Sequence, residues 1–334
     1  MPPPAPIDRS ALEASTRAFH DARTLPAAAY LSEDVLEWER RHFFASSWVC
    51  AGRSDELHAA GDQMAIDVAG EGVLLTRADD GELRAFSNTC RHRGHELLVR
   101  DAAAINRKVV QCPYHRWVYE LDGGFKGGPG LAGRPGFDKA DPEHCLFALP
   151  ANEWHGWVFV NVAGGAPSFE EHVGNLDEIV SPYEPQRLFV GATHRYEVAA
   201  NWKVIVENYH ECYHCSEIHP ELCRVSSPMS GEGLEPTGLW IGGTMTLLDG
   251  AETMSLDGAS RSVRMRSLDD AAERDVGYFM LWPNLLVSPH PDYVMTHRLE
   301  PLAPGLTRIE CRWLFPPEAR GRPDFDPAFA SDFW

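Results

Sequence analysis

Short stretches of alternating apolar and polar residues dominate the first half of the chain. This alternation is typical of half-buried strands, and it predicts strands at residues 65–69, 73–77, 83–87, 109–111, 116–121 and 157–162. Acidic residues and a glycine at 79–81 predict a turn between the second and third of these strands. Residues 32–44 break the pattern with helical spacing behind an N-cap Ser32. The first half therefore predicts a small antiparallel β domain preceded by a helix.

The second half combines strands with one amphipathic helix. Alternation predicts strands within residues 194–199, 278–288, 292–299 and 306–315, whereas residues 202–214 have helical spacing. Strands beside helices predict an α+β fold. We expect three parts: an N-terminal helical segment at 1–44 that packs on the last domain, a β domain at 45–165, and an α+β domain at 166–334.

Two pairs of cysteine and histidine lie in the β domain. Cys90 and His92 form the first pair, and Cys112 and His115 form the second. Two thiolates and two imidazoles are the ligands of a Rieske [2Fe–2S] cluster, but they also satisfy a zinc ion. The single residue between Cys90 and His92 is tighter than the usual zinc spacing and favours the cluster. The chain is therefore predicted to carry electrons.

A second group of candidate ligands lies at residues 207–220, where His210, His214 and His219 accompany acidic residues. Here the chain closely resembles the alpha subunit of Rieske non-haem iron oxygenases. The resemblance implies that His214 and His219 bind iron(II) as two arms of a two-histidine, one-carboxylate triad. Helix geometry makes His210 and His214 the easier pair. His214 and His219 can converge only if the helix loosens or ends between them, and Pro220 marks such an ending.

The same resemblance implies roles for two further residues. Glu211 would bridge a Rieske histidine of a neighbouring subunit to the iron ligand His214, which lies three residues later on the same helix face. Asn208 would line the iron site. A glutamate at position 211 resembles the branch that oxidises quaternary ammonium compounds such as glycine betaine, carnitine or choline.

The third iron ligand of the family is an aspartate on a helix after a segment similar to residues 325–334. The chain stops at Trp334, so we expect that ligand to lie beyond this residue. A substitute acid within the chain is the alternative, and three aspartates near the end are candidates: Asp324, Asp326 and Asp332.

The resemblance also implies the fold, the cofactors and the partners. It implies a helix-grip catalytic domain beside the Rieske domain, and a homotrimer in which electrons cross between subunits. A separate reductase would use NAD(P)H, flavin and its own iron–sulfur cluster to supply electrons, and dioxygen and a small molecule would be the substrates. The expected reaction is N-demethylation or hydroxylation of a quaternary ammonium compound. The alternative is hydroxylation or O-demethylation of an aromatic ring or acid.

Aromatic side chains in the second half bear on the substrate. They could hold an ammonium group by cation–π attraction or could simply fill the core: Trp240, Tyr278, Phe279, Trp282 and Tyr293. Residues 224–275, poor in periodicity, are expected to cap the pocket. A different class, an electron-transfer Rieske protein without oxygenase activity, would explain residues 45–165 but not the histidines after residue 207.

The composition bears on the partners and the cellular location of the protein. The formal charge of −19 argues against a nucleic-acid partner, since binding phosphates needs a basic surface. Eight cysteines without a secretory segment favour reduced thiols in a cytoplasmic protein. No apolar stretch approaches the length of a membrane span, so we expect a protein without membrane contact.

Overall fold

A computed structural model describes residues 3–18, 20–132, 134–269 and 272–334. The chain forms two compact units. One contains Arg40–Pro167, and the other contains the chain up to Glu39 together with Ser168–Trp334. Within the described ranges, no helix is long and apolar enough to cross a membrane.

The unit Arg40–Pro167 is built from antiparallel strands. In the described residues they are β1 (Val49–Arg53), β2 (Asp62–Val68), β3 (Glu71–Arg77), β4 (Leu83–Ser87), β5 (Ile105–Asn106), β6 (Val110–Gln111), β7 (Val118–Tyr119), β8 (Phe125–Gly127), β9 (Ala148–Leu149), β10 (Ala151–Trp154) and β11 (Trp157–Val160). They form three sheets, ordered β1-β11-β10, β5-β2-β3-β4-β9 and β6-β7-β8. Buried residues of β3, β4, β7 and β8 share one hydrophobic core with Cys90 and Cys112.

The other unit is a large antiparallel sheet with helices. Its described helices are α1 (Arg9–Glu13), α2 (Ala28–Leu31), α3 (Glu33–Glu39), α4 (Phe169–Val173), α5 (Leu176–Val180), α6 (Trp202–His210), α7 (Cys215–Ile218), α8 (Pro220–Val225) and α9 (Ala328–Ser331). Its described strands are β12 (Phe189–Val198), β13 (Glu232–Gly233), β14 (Trp240–Thr246), β15 (Asp275–Leu281), β16 (Leu285–Pro289), β17 (Val294–Ala303) and β18 (Leu306–Phe315). The sheet order is β12-β18-β17-β16-β15-β14-β13. The predicted α+β class is confirmed.

Element predictions differ from the structure at three places in the second half of the chain. The helix predicted at 202–214 ends at His210, because Glu211 has an extended backbone with φ −110° and ψ 119°. The strand predicted at 278–288 is divided at Pro283 into β15 and β16, since proline supplies no amide hydrogen for a ladder. Residues 224–275, predicted to lack periodicity, contain β13 and β14, which extend the sheet edge because β14 pairs with β15 and β13 pairs with β14.

Candidate functional site

The two Cys/His pairs lie at the tips of neighbouring loops in the unit Arg40–Pro167. The first loop closes through hydrogen bonds between Cys90 and residues 94 and 95, and the second through bonds between Cys112 and residues 116 and 117. Cys90 and Cys112 are buried, while His92 is exposed and His115 half-buried. The rings of His92 and His115 lie 4.7 Å apart between centroids. Two thiols therefore lie inside and two imidazoles lie towards the surface.

This arrangement fits a Rieske cluster. Such a cluster takes two sulfur ligands on one iron and two imidazole nitrogens on the other. Burial, followed by the neighbouring Cys112, raises the pKa of the Cys90 thiol. A buried thiol of this kind becomes a good ligand once a metal ion compensates the thiolate charge.

Tyr119 hydrogen-bonds to the first loop from strand β7. Its hydroxyl lies 3.2 Å from the Cys90 sulfur and accepts a 3.0 Å hydrogen bond from the Arg91 amide. Hydrogen bonds to ligand sulfurs help to set the potential of an iron–sulfur cluster. Tyr119 was not among the functional residues predicted from the sequence. It lies two residues after Trp117 in a predicted strand, and this spacing was a signal that both side chains lie on the same face.

Trp117 holds the ring of His92. The two rings are stacked at 4.8 Å with only 8° between their planes, and the ring of Trp117 also lies 5.8 Å from the ring of His144, with 11° between their planes. Gly128 makes this packing possible. A Cβ atom at Gly128 would lie 2.8 Å from the Trp117 ring, closer than side chains tolerate.

A cavity in the other unit lies between α6–α8 and one face of the large sheet. It has a volume of about 640 Å³. Asn201 caps α6 by accepting a hydrogen bond from the Lys203 amide, and it donates to the carbonyls of Tyr30 and Pro304. This capping fixes the start of the helix that carries Asn208 to the cavity wall.

The cavity brings together the predicted iron ligands. His214 and His219 flank the single turn of α7, and their rings lie 5.1 Å apart. The helix ends before His219, as Pro220 predicts, and α8 begins at Pro220. His210 also lines the cavity, but its Nδ1 donates to the Val206 carbonyl at 2.9 Å, so one of its ring nitrogens is already engaged.

Glu211 and His214 are in contact. The Glu211 Oε2 atom lies 2.9 Å from Nδ1 of His214, and this hydrogen bond lowers the pKa of the Glu211 carboxyl. The contact forms across the turn between α6 and α7, not along a helix face as predicted, because α6 has ended before Glu211. With Nδ1 held in this way, Nε2 of His214 is left for a metal ion.

The candidate acids near the chain end lie elsewhere. Asp324 pairs with Arg322, Asp326 caps the Ala328 amide, and Asp332 is exposed. None of these three lines the cavity with the two histidines. Among the described residues, no three His, Cys, Asp or Glu side chains gather closely enough to hold one metal ion.

The aromatic candidates divide clearly. Tyr278 lines the cavity, whereas three others are buried in the core: Trp240, Phe279 and Tyr293. Trp282 is half-buried, with its ring 5.6 Å from that of Trp202. Tyr209 and Trp334 also line the cavity, and the ring of Tyr209 lies 5.8 Å from that of Tyr278. Residues 228–245 form part of the wall, which agrees with the expected cap, while the described residues from 247 to 275 do not.

Comparison with known proteins agrees with this geometry. Residues 47–138 match the Rieske [2Fe–2S] domain, and residues 185–334 match the ring hydroxylating alpha subunit catalytic domain. The chain therefore belongs to the Rieske non-haem iron oxygenases, enzymes that use a [2Fe–2S] cluster and a mononuclear iron. The match over residues 185–334 excludes an electron-transfer protein built from the Rieske domain alone.

Two relatives and one solved structure are similar to this chain over more than half of its length. The glycine betaine monooxygenase oxygenase subunit of Pseudomonas aeruginosa strain UCBPP-PA14 is 27% identical, over 98% of this chain and 81% of the relative. The carnitine monooxygenase oxygenase subunit of Escherichia coli K12 is 38% identical over 60% of this chain and 53% of that protein. The quaternary ammonium Rieske monooxygenase CntA, solved with its substrate L-carnitine, superimposes with a TM-score of 0.71 and 27% identity, covering 88% of this chain and 76% of CntA.

Proposed function

We propose that this chain is the oxygenase component of an enzyme that N-demethylates a quaternary ammonium compound. The observation that carries the proposal is the cavity itself. Glu211, His214 and His219 line the same cavity as the aromatic side chains of Tyr209 and Tyr278, and aromatic faces attract alkylated ammonium groups. The relatives named for glycine betaine and carnitine support the same substrate class.

Four residues would hold the cluster and two would hold the iron. We assign Cys90, His92, Cys112 and His115 to the [2Fe–2S] cluster, and His214 and His219 to iron(II). When bound, the cluster supplies single electrons and the iron activates dioxygen. Around them, Trp117 fixes the ring plane of His92, and Glu211 fixes the ring of His214 through Nδ1. Asn208 presents an uncharged polar side chain beside the ligands.

The reaction balances as a C–H oxidation. One oxygen atom enters an N-methyl C–H bond and the other leaves as water, with two electrons and two protons consumed. In the N-hydroxymethyl product the C–N bond then breaks, its electron pair stays on nitrogen and the hydroxyl proton is released, which gives formaldehyde, a tertiary amine and one proton. The electrons would come from NAD(P)H through a flavin and iron–sulfur reductase.

The exposure of Glu211 supports a proposal about how subunits assemble. Half of its side chain is accessible while its carboxylate contacts His214, so a partner's Rieske loop could reach it. We propose a homotrimer in which electrons pass from the cluster of one subunit through Glu211 to the iron site of the next. We further propose a cytoplasmic protein with a Rieske domain at 45–165, a catalytic domain at 166–334, and the segment 1–44 packed on the latter.

A turnover assay tests the proposed function. The iron-loaded protein, a surrogate reductase and NADH are incubated with choline, glycine betaine, carnitine or an aromatic acid, while oxygen uptake and formaldehyde are recorded. We expect substrate-dependent uptake with one formaldehyde per oxygen for at least one ammonium compound. Oxidation of the aromatic acid alone would contradict the proposal.

A Glu211→Gln variant tests the assigned bridge. The amide keeps the size of the side chain but removes its charge, so we expect at least about a tenfold loss of formaldehyde formation, with the EPR signal of the reduced cluster unchanged. Glu217→Gln, an exposed glutamate of α7, is the matched control and should keep full activity. Full activity of Glu211→Gln would remove Glu211 from the mechanism.

A further inference from the structure

Two cysteines lie beside the histidines of the catalytic cavity. Cys212 comes two residues before His214 and Cys215 directly after it, and both cysteines line the cavity. Each is a free thiol, and neither has a part in the proposed N-demethylation. Two thiols separated by two residues are a common redox unit in proteins. A small oxidant that enters the cavity therefore meets a pair of thiols next to the proposed iron ligands.

The backbone brings these two thiols together. The Cys215 amide donates a 3.1 Å hydrogen bond to the Cys212 carbonyl, which closes a four-residue turn. Such a turn places its first and last Cα atoms less than about 7 Å apart, and a disulfide needs a separation of about 4.4–6.8 Å. Burial, and then a hydrogen bond with the Cys212 side chain, raise the pKa of the Cys215 thiol, so the two side chains are neighbours. A disulfide between them requires little movement of the backbone.

The two thiols differ in exposure, and this gives them different roles. Cys212 is half-buried, and its sulfur donates to the Met245 sulfur at 3.7 Å. Cys215 is only 4% exposed and packs with Leu222 and Met245. An oxidant in the cavity therefore reaches Cys212 first, while Cys215 lies behind it as the thiol that closes the bond.

The chemistry proposed for this cavity can supply an oxidant. Dioxygen that takes up two electrons and two protons without oxidising a methyl group leaves as hydrogen peroxide. Peroxide oxidises accessible thiols, and it can also oxidise the imidazole rings of His214 and His219. This source of peroxide rests on the proposed function, whereas the chemistry of the two thiols does not.

We propose that Cys212 and Cys215 form a dithiol that reduces hydrogen peroxide beside the iron ligands by closing to a disulfide. The Cys212 sulfur attacks one peroxide oxygen and the O–O bond breaks. Cys212 becomes a sulfenic acid, and the other oxygen leaves as water with the thiol proton. The Cys215 sulfur then displaces the sulfenic hydroxyl, which leaves as water with the Cys215 proton. One peroxide becomes two water molecules, a thiol reductant restores the dithiol, and His214 and His219 are protected.

Peptide mapping tests the dithiol directly. The iron-loaded protein is treated with hydrogen peroxide, alkylated with iodoacetamide in urea and digested with trypsin, which releases residues 204–224 with Cys212, Cys215 and Cys223. We expect a peptide that lacks two hydrogen atoms, carries one alkyl group on Cys223 and does not fragment between residues 212 and 215. Dithiothreitol added before alkylation should abolish it. A peptide alkylated on all three cysteines after peroxide treatment would overturn the inference, and so would a bridge to Cys223.

Two serine variants test the protection of the histidines. Cys212→Ser removes the thiol that peroxide reaches first, so oxidation of His214 and His219 should rise at least about twofold over the parent protein. Cys223→Ser is the matched control. Cys223 is half-buried and its sulfur donates to the Cys215 carbonyl at 3.5 Å, a bond that serine can also make. This variant should form the 212–215 bridge and keep its histidines like the parent.

Added peroxide tests the dithiol independently of the proposed function, because it requires neither the reductase nor a substrate. Equal histidine oxidation in Cys212→Ser and the parent protein would show that the dithiol does not protect the site, and the inference would fail even if formaldehyde is released from an ammonium compound. A reversible 212–215 bridge in a protein that releases no formaldehyde from any ammonium compound would support the dithiol and contradict the proposed function instead.

Discussion

The Cys90 sulfur has a buried hydroxyl group beside it. Tyr119 supplies that hydroxyl from β7, and the same oxygen holds the Arg91 amide, so the loop and the sulfur share one partner. A phenol that donates to a ligand sulfur stabilises the reduced, more negative cluster. The potential of the cluster should therefore depend on this one hydroxyl.

Tyr119→Phe tests this dependence. Removing one hydrogen bond of about 1 kcal/mol should lower the reduction potential by about 40 mV for one electron, measured by voltammetry on the purified protein. Tyr114→Phe changes an exposed tyrosine on the other loop and should leave the potential unchanged. An unchanged potential in Tyr119→Phe would show that its hydroxyl does not bond the sulfur.

Functional residues were predictable where their spacing along the chain matches a known set of metal ligands. The four Cys/His positions and the cluster of His214, His219 and Glu211 follow from sequence and resemblance, and the structure gathers them in two places. Tyr119 and His297 were not predictable. Each is one aromatic residue on a strand, and only the packing of distant strands decides whether such a residue meets a sulfur, a cavity or the core.

The ends of helices and strands were predictable where the sequence contains a residue that interrupts them. Pro220 correctly marked the end of the helical turn between the two histidines. The end of α6 at His210 was not predictable, because residues 211–214 continue the helical spacing and only the turn towards the cavity breaks it. The glycine-rich stretch at 123–130 is typical of a flexible loop, yet it contains β8, and Gly128 lies against Trp117.

Gly128→Ala tests the packing of this element. Its new Cβ would lie 2.8 Å from Trp117 and 3.1 Å from Leu131, so the indole must move off His92. We expect a loss of about 1–3 kcal/mol in the free energy of unfolding of this unit, as for other overpacked sites, with an altered EPR spectrum of the cluster.

Gly165→Ala is the control for that experiment. A Cβ at Gly165 meets no atom within 4 Å, so this variant should unfold like the parent protein. Parental stability and an unaltered spectrum in Gly128→Ala would contradict the role of Trp117 as a support for His92.

At the scale of the whole molecule, the fold class and the presence of both metal-binding units were predictable, because alternation and ligand spacing survive in a single sequence. The sheet order was not, since it depends on strands that are far apart in the chain.

The packing of these strands buries histidines in the unit that contains the catalytic cavity. Burial lowers the pKa of His172 to about 4, that of His290 to about 3 and that of His297 to about 4.

These buried histidines predict acid instability. The unfolded chain binds their protons near pH 6.5 and the folded chain does not, so stability is full above pH 6.5 and falls as the pH drops towards 4. Each histidine contributes up to about 3 kcal/mol to this loss. Urea unfolding at pH 7, 6 and 5 should show the decline.

His172→Gln should reduce this pH dependence, because glutamine does not bind a proton in this pH range. Its amide can still donate to the Trp282 carbonyl that His172 contacts at 2.9 Å, so the hydrogen bond is kept. His194→Gln alters an exposed histidine of the same unit and serves as the control. An identical pH dependence in His172→Gln and the parent protein would show that His172 is not buried in its neutral form.

Electrons from the Cys/His cluster are, on this account, used to oxidise an N-methyl group in the cavity. A single-turnover experiment tests this most directly: the chemically reduced, iron-loaded protein is mixed with oxygen and an ammonium substrate, and loss of the reduced-cluster signal and formaldehyde are followed together. We predict that cluster oxidation is faster with substrate and that formaldehyde forms in proportion to the iron-loaded chains. Cluster oxidation at the same rate with and without every ammonium compound, and without formaldehyde, would contradict the account.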